Sequence, residues 1–294
     1  MTTALEIERQ KLYRHLTAPD DPTDTVLALI GEDEISTIAD KHSGRSTTIA
    51  RLWTKKLGGK HLDARPKGQT SGSALEKNIE KFLSATMPMV AAIRPGNWNV
   101  TRITSDNHAI LGQYEPYRHL GELASAMDTN PKLRALIGDA YAILPDVIIT
   151  RAPEEDSAIN GTSEPPVVDD MVARKTIIRA VNNSSPILHA VVSCKWTMRT
   201  DRAQNTRSEA LSLIRGRKGR LPHVVVVTAE PLPDRLTSLA LGTGDIDMVY
   251  HLALPELQET VEEIGDETSK DLLKMMIEGK RLRDISDLPL DLAV

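Results

Sequence analysis

The sequence predicts an α/β fold with a mixed central β-sheet flanked by helices. In its second half, the strand-like runs AILPDVIIT, ILHAVVSCKWT, PHVVVVTAE and DIDMVYHLAL are interrupted by the helical patterns NTRSEALSLIRGR and PDRLTSLAL. Strands that alternate with helices are typical of at least partly parallel pairing. With 294 residues, 40% of them hydrophobic, the chain can bury a full core, and we predict one domain over 1–294.

The first elements are predicted to be helical over about 1–57, in the stretches EIERQKLYRHL, TVLALIGEDEISTIA and STTIARLWTKKL. Glycine and proline in residues 58–72, GGKHLDARPKGQTSG, indicate a loop. The next stretch, SALEKNIEKFLSATMPMVAAI, places Leu75, Ile79 and Leu83 at helical spacing and predicts an amphipathic helix. The alternating WNVTRIT then predicts a strand.

A further helix is expected in LGELASAMDTNPKLRALIGD, before the AILPDVIIT strand. Residues 152–171 are acidic and rich in proline, serine and asparagine, which predicts a surface loop. This segment is not a domain boundary, because strand-like sequence resumes after it. Two helical stretches are expected to follow the last strand, DIDMVYHLAL.

Composition excludes several classes of protein. The single cysteine, Cys194, cannot form an internal disulfide and suits a reducing compartment. No apolar run approaches the ~18 residues of a membrane span, and the N-terminus lacks the pattern of a signal peptide. We therefore expect a cytoplasmic protein without membrane association. Its 41 acidic residues outnumber its 36 basic ones, which argues against indiscriminate binding to nucleic acid.

Positive charge is nevertheless concentrated in SCKWTMRTDRAQNTRSEALSLIRGRKGR, which begins at Ser193 and contains only two acids, Asp201 and Glu209. Arginine can donate two hydrogen bonds to guanine O6 and N7, and aspartate can accept one from cytosine N4. Arg199, Asp201 and Arg202 are therefore suited to reading G·C pairs from the major groove. The alternative is an ordinary surface ion pair between Asp201 and Arg202.

Two residues at strand ends and one in a following helix form a candidate catalytic constellation. Asp146 precedes the VIIT run, Lys195 ends HAVVSCK, and Glu209 lies in the helix after the basic loop. If the two strands are neighbours, these side chains meet at one edge of the sheet. Carboxylates beside a lysine suit metal-dependent phosphodiester hydrolysis. The alternative is that Asp146 caps a turn and that Lys195 is a solvated charge on an edge strand.

The chain resembles the type II (IIF-like) restriction endonucleases that cut around a CCGG core. The resemblance runs from about Lys67 to the C-terminus. It rests on the block that begins at SCKWTMRTDRAQ and ends at MVYHLAL, together with GQTSGSALE, RPGNWNV and KRLRDISDLPLDLAV. It implies a PD-(D/E)XK nuclease core, in which Asp146 is the metal-binding aspartate and Lys195 the catalytic lysine.

The resemblance also implies how the metal site is completed. Ser193 occupies the place of the usual carboxylate, and Glu209 supplies that carboxylate from the following helix. Glu76 matches a further active-site glutamate, associated with a second metal, and the backbone carbonyl of Cys194 completes the coordination. The cofactor implied is Mg²⁺, with two ions per active site.

For DNA recognition, the resemblance assigns the CCGG core to Arg199, Asp201 and Arg202. It assigns the outer base pair to four further residues: Arg235, Gln69 in the minor groove, Asp40 and Ser43. The implied target is GCCGGC in double-stranded DNA, cut after the first G to leave 5′ CCGG overhangs.

The implied assembly is a homotetramer, a dimer of dimers that holds two DNA sites, in a bacterial cell with a cognate DNA methyltransferase. Two other functions stay open. The first is a non-catalytic, sequence-specific DNA-binding protein on the same fold, which the absence of an acid at Ser193 would suit. The second is a structural α/β protein that does not bind nucleic acid.

Overall fold

A computed structural model describes residues 2–18, 25–63, 68–104, 110–130, 132, 135, 144–198, 200–242 and 244–294, with only the backbone described at 68–70 and 200–202. Its strands are β1 (Leu29–Ile30), β2 (Ile35–Ser36), β3 (His61–Leu62), β4 (Trp98–Arg102), β5 (Val147–Arg151), β6 (Ile187–Lys195), β7 (His223–Thr228), β8 (Met248–His251) and β9 (Leu282–Asp284). Its α-helices are α1 (Ala4–Thr17), α2 (Gly44–Lys56), α3 (Gly68–Thr86), α4 (Arg118–Asp128), α5 (Asp156–Asn160), α6 (Thr200–Gly216), α7 (Pro233–Ala240), α8 (Leu254–Ile264), α9 (Glu267–Glu278) and α10 (Leu288–Asp291).

A six-stranded mixed sheet lies at the centre, in the order β4-β5-β6-β7-β8-β9. The pairs β4–β5 and β5–β6 are antiparallel, whereas β6 to β9 run parallel. The expected α/β fold with a mixed, partly parallel sheet is therefore confirmed. Every residue of β7 after His223 is buried, because helices cover both faces of parallel strands. This burial explains the uninterrupted VVVV run.

The predicted second helix, TVLALIGEDEISTIA, is wrong, so the N-terminal part is not wholly helical. The segment forms a short hairpin in which Leu29 pairs with Ser36. Gly31 has φ of +68°, and such a left-handed conformation suits a tight turn and not a helix interior. Thr37 accepts from the backbone N–H of Ala28 at 3.1 Å, so hydroxyl groups replace the helical hydrogen bonds. The first and third predicted helices correspond to α1 and α2.

Two further boundaries differ from the expected ones. The predicted loop over 58–72 contains β3 and the beginning of α3, which starts at Gly68 and not at Ser73. The helix ends at Thr86 and continues as a 3-10 turn over Met87–Val90, because Pro88 cannot donate to the helical ladder. Strand β9 between α9 and α10 was not predicted, since its three residues are too short for a periodic signal.

The acidic stretch 152–171 belongs to a longer excursion between β5 and β6 that has its own structure. It is not a plain loop, because it contains α5. Arg179, which is only 2% exposed, donates to Asp156 at 2.8 Å and to the carbonyl of Asp169 at 3.0 Å. The backbone of Glu154 pairs with Ala180, which closes the base of the excursion.

The N-terminal helix α1 is joined to the far side of the sheet by a buried ion cluster. Arg9 Nε donates to Asp284 at 2.9 Å, and its two terminal nitrogens donate to Glu256 at 2.9 and 2.6 Å. Arg9 is 6% exposed and Asp284 is 7% exposed. If either side chain were removed, water could therefore not take its place beside the other. None of the helices in the described ranges has the length and apolar content to cross a membrane.

We expect Arg9→Ala to lower the free energy of unfolding by about 3–5 kcal/mol, because the buried carboxylate of Asp284 loses its counter-charge. Urea denaturation followed by circular dichroism would measure the change. Arg118→Ala is the control: this exposed arginine lies 3.8 Å from Glu115, and its loss should cost no more than ~1 kcal/mol. Equal effects of the two substitutions would contradict the role given to the buried cluster.

Candidate active site

The sheet brings Asp146 against the end of β6. Val147, the first residue of β5, pairs with Val192, so the preceding Asp146 faces residues 193–195. Its own carbonyl accepts from the N–H of Ile103 at 3.0 Å, which fixes its backbone against the end of β4. The expected meeting of Asp146 and Lys195 at one sheet edge is therefore observed, and it follows from the antiparallel register.

One carboxylate oxygen of Asp146 is the hydrogen-bond acceptor of this cluster. Asp146 Oδ2 accepts from the backbone N–H of Cys194 at 2.7 Å, from Lys195 Nζ at 3.2 Å and from Ser193 Oγ at 3.4 Å. Burial opposes the charge of Lys195, but Asp146 and Glu209 more than compensate and raise the pKa of the lysine. Lys195 is therefore a protonated cation at neutral pH.

Two glutamates from different helices approach this pair. Glu209 on α6 lines the same cavity as Pro145 and Ser193, and Glu76 projects from α3. Burial, followed by repulsion from Asp146, raises the pKa of Glu76; burial raises that of Glu209 despite the attraction of Lys195. Three carboxylates thus lie near two cations, Lys195 and, beside Glu76, Arg102, and the cluster carries excess negative charge when all are ionised.

The donor set suits a hard divalent cation such as Mg²⁺, which prefers carboxylate oxygens. Within the described residues, no three His, Cys, Asp or Glu side chains surround a common point closely enough to hold an ion. The carboxylates therefore influence one another's pKa values, but they do not form a closed ligand shell. Burial raises the pKa of the Cys194 thiol, so the thiol is neutral in the metal-free protein, and its backbone N–H is already taken by Asp146.

Two of the three residues expected to read the CCGG core lie at the first turn of α6. Asp201 and Arg202 belong to this helix, and their side chains are outside the description; Arg199 lies outside the described residues altogether. Gln69 is in the first turn of α3, again without a described side chain. The structure therefore gives the location of these helix starts relative to the active site, and their base contacts stay predictions.

Arg235 and Asp40, both expected at the outer base pair, are ion-paired with each other. The hydrogen bond from Arg235 is the first cause of the lowered pKa of Asp40. Ser43 caps α2 by accepting from the N–H of Ser46 at 3.2 Å. The N–H of Ser43 also donates to the carbonyl of Asp40 at 3.0 Å, so the turn before α2 holds these two residues together.

Sequence reasoning missed two residues beside these groups. Arg102 ends β4, donates to Ser73 Oγ at 3.0 Å and lies 3.9 Å from Glu76. Glu230 is completely buried just after β7 and lies 3.8 Å from Arg235. Position was the only available signal: Glu230 ends the predicted strand PHVVVVTAE, and Arg102 is the one charged residue within the predicted strand WNVTRIT.

Comparison with known proteins identifies close relatives. The family described as NgoMIV restriction enzyme matches residues 22–294. The chain is 48% identical over 256 residues to the type II restriction enzyme NgoMIV of Neisseria gonorrhoeae, which covers 87% of this chain and 89% of that protein. Among solved structures, restriction endonuclease PspGI in complex with substrate DNA shares 14% identity and covers 76% of this chain and 78% of its own, with a TM-score of 0.24. A TM-score this low supports no inference about the present chain.

The raised pKa of Glu209 predicts that Glu209→Gln stabilises the metal-free protein. At pH 8 the wild-type carboxylate is ionised against burial, so its neutral isostere should gain about 0.5–1 kcal/mol in the free energy of unfolding. The gain should vanish as the pH falls through the raised pKa, because the wild-type group is then protonated and neutral as well.

Urea denaturation in EDTA at several pH values would test this prediction. Glu122→Gln, at an exposed position on α4, is the matched control and should stay within ~0.5 kcal/mol of the wild type. A Glu209→Gln protein less stable than the wild type at pH 8 would show that the charged carboxylate is favourably placed.

Proposed function

The chain belongs to the NgoMIV restriction enzyme family, and on that premise we propose the target and chemistry of a site-specific deoxyribonuclease. We propose a PD-(D/E)XK nuclease that hydrolyses double-stranded DNA at GCCGGC, after the first G, leaving 5′ CCGG overhangs. The observation that carries the chemistry is the shared acceptor Asp146 Oδ2, which holds the Cys194 N–H and Lys195 together at one sheet edge.

In this proposal, Asp146, Glu76, Glu209 and the carbonyl of Cys194 would hold two Mg²⁺ ions. The excess of carboxylates over lysine and the oxygen-only side-chain donors fit that group. Bound Mg²⁺ supplies a more acidic water and stabilises charge on phosphate oxygen. Ser193 leaves room for a carboxylate from α6, because its short side chain lines the same cavity as Glu209.

Lys195 acts in this proposal on the phosphate that is cleaved. It is protonated, and Asp146 fixes its ammonium group before substrate arrives. A preorganised cation next to developing negative charge needs no reorganisation during the reaction, and this is the main source of electrostatic catalysis. Arg102 is a further cation beside the carboxylates, 3.9 Å from Glu76.

Recognition of the CCGG core is proposed for Arg199, Asp201 and Arg202, by guanine O6/N7 and cytosine N4 contacts. The outer G·C pair is proposed for Arg235, with Gln69 in the minor groove and Asp40 and Ser43 beside it. The ion pair of Arg235 with Asp40 supports this grouping, because it brings a donor for guanine and an acceptor for cytosine to one place.

We expect Lys195→Ala to reduce the rate of Mg²⁺-dependent cleavage of a GCCGGC plasmid by roughly 10²–10³-fold. Binding in Ca²⁺ should stay close to wild type, because the substitution removes a catalytic cation and not a base contact. Gel assays with sequenced product ends would measure the rate and the cut position. Lys274→Ala, an exposed lysine on α9, is the control and should cut normally. Cleavage by Lys195→Ala at the wild-type rate would rule out this cluster as the active site. Product ends at another sequence would refute the proposed target.

A palindromic target calls for a two-fold assembly, and we propose a homotetramer built as a dimer of dimers. The excursion between β5 and β6 supports it. Of the twelve large apolar side chains exposed in the described chain, five lie within this segment: Val167, Met171, Val172, Ile177 and Val181. Because Arg179 and Asp156 keep the excursion folded, these side chains form a stable surface for a second copy of the chain.

We expect the double substitution Met171→Glu and Val181→Glu to reduce the mass of the assembly by half or more, because it places charge in the apolar contact. Light scattering coupled to size exclusion would measure the mass. The matched control is Met275→Glu, an exposed methionine on α9, which should leave the mass unchanged. The assembly proposal fails if the wild type is monomeric at working concentration.

The setting of the enzyme follows from the same proposal. A nuclease for a six-base-pair site would cut the DNA of its own cell, so we propose a cognate DNA methyltransferase as its functional partner. We also propose that the chain acts as one domain in a bacterial cytoplasm. The apolar core runs without interruption from α1 through the sheet to α10, which supports the single domain.

A further inference from the structure

Glu230 is a fully buried carboxylate whose two oxygens are both occupied by backbone donors. It is 0% exposed, and one residue, Ala229, separates it from the end of β7. Oε2 accepts from the N–H of Met198 at 2.7 Å, and Oε1 accepts from the N–H of Leu232 at 3.0 Å. The side chain thereby connects the segment after Lys195 to the residue that begins α7.

The backbone of Glu230 is held as firmly as its side chain. Its N–H donates to Thr228 Oγ1 at 3.1 Å, and its carbonyl is 3.1 Å from Nε2 of the buried His251 on β8. A buried carboxylate costs several kcal/mol in desolvation unless hydrogen bonds compensate it. The hydrogen bonds from Met198 and Leu232 offset part of this cost, although burial still raises the pKa of Glu230, and the backbone contacts fix its position.

Glu230 also defines the surroundings of Arg235. Its Oε2 lies 3.8 Å from Arg235 Nη1, while Arg235 Nη2 donates to Asp40. The arginine thus lies between a fixed carboxylate and a second one, Asp40, whose side chain is 25% exposed. Leu232 is the N-cap residue of α7, so Glu230 fixes the start of the helix that carries Arg235 as well as its guanidinium group.

We infer that Glu230 is a positioning residue for sequence recognition, which orients Arg235 for the outer base pair and joins that reader to the chain beyond Lys195. The inference rests on the proposed role of Arg235. A guanidinium group has several rotamers, and its two-bond contact with guanine requires one plane. Glu230 holds that plane from the buried side, and Asp40, whose side chain is 25% exposed, is the partner that a base can replace.

The test is the isosteric variant Glu230→Gln, which removes the charge facing Arg235 and one of the two backbone acceptors. Cleavage of GCCGGC is compared with cleavage of ACCGGT in matched oligonucleotides with Mg²⁺. We expect the ratio of the two kcat/KM values to fall by at least about tenfold, with the loss on GCCGGC mainly in KM. Wild-type discrimination in a folded Glu230→Gln protein would overturn the inference.

The matched control is Asp284→Asn. Asp284 is also a buried carboxylate that accepts backbone hydrogen bonds, from Leu254 and Ser286 at 3.0 Å each, but it serves the Arg9 cluster. The Asp284→Asn substitution should lower Tm without changing the ratio of kcat/KM for GCCGGC to kcat/KM for ACCGGT. Equal losses of discrimination in the two variants would assign the effect to general destabilisation and overturn the inference.

A double substitution shows whether Glu230 acts through Arg235. Adding Glu230→Gln to Arg235→Ala should change the outer-pair ratio by less than about twofold, because the group that Glu230 positions is already gone. Independent effects that multiply would overturn the inference. If Glu230→Gln does not fold, Glu230→Asp keeps the charge but withdraws it by one methylene from Arg235, and the same loss of discrimination is expected.

The wild-type measurement separates this inference from the proposed target. If the wild type cuts GCCGGC and ACCGGT equally well, the proposed role of Arg235 is wrong, and the inference falls with it. If the wild type discriminates and the Glu230→Gln protein discriminates equally well, only the inference is wrong.

Discussion

The hydrogen bonds to Asp146 Oδ2 are the constraint on which the site depends. They need the antiparallel register of β5 and β6, since a shift of one residue would turn Asp146 away from Lys195 and the N–H of Cys194. The register is supported from the other side, because the carbonyl of Asp146 accepts from Ile103 after β4. Three strands of the sheet therefore determine the position of one carboxylate, and helices α3 and α6 need only supply the remaining acids.

This arrangement of buried carboxylates lowers the stability of the folded protein. Burial and the neighbouring Asp146 raise the pKa values of Glu76 and Glu209, although Lys195 lies near both glutamates and Arg102 lies beside Glu76. The buried Arg9, by contrast, is paired with two carboxylates. The contrast with Arg9 is physical support for a functional role, since unbalanced charge is retained where an incoming group supplies the balance.

The sequence was sufficient for elements with strong periodicity and for strand-end chemistry. The runs that form β5 to β8 are rich in apolar residues because these strands are buried, so they were recognisable in the sequence. Asp146 and Lys195 lie at the ends of two of these runs. The hairpin at Leu29 and Ser36 was mistaken for a helix, because Thr37 and Ser36 satisfy backbone and side-chain partners that only the folded chain shows. Glu230 could not be found either. Its partners are the backbone N–H groups of residues 32 positions before it and two after it. Because every residue except proline has a backbone N–H, such a partner cannot be identified from the sequence.

Strand order explains how recognition and chemistry can be coupled in so small a region. Strands β6 and β7 are parallel neighbours, so Lys195 is paired with Thr228 and the segments that leave both strands emerge side by side. One segment passes Met198 towards α6, and the other passes Leu232 into α7 with Arg235. Glu230 bonds to both, so the two segments cannot move independently without leaving a buried carboxylate oxygen unpaired. Under the proposed function, a wrong outer base pair that displaces Arg235 would therefore strain the segment attached to the catalytic lysine, and discrimination would extend from binding into the rate of cutting.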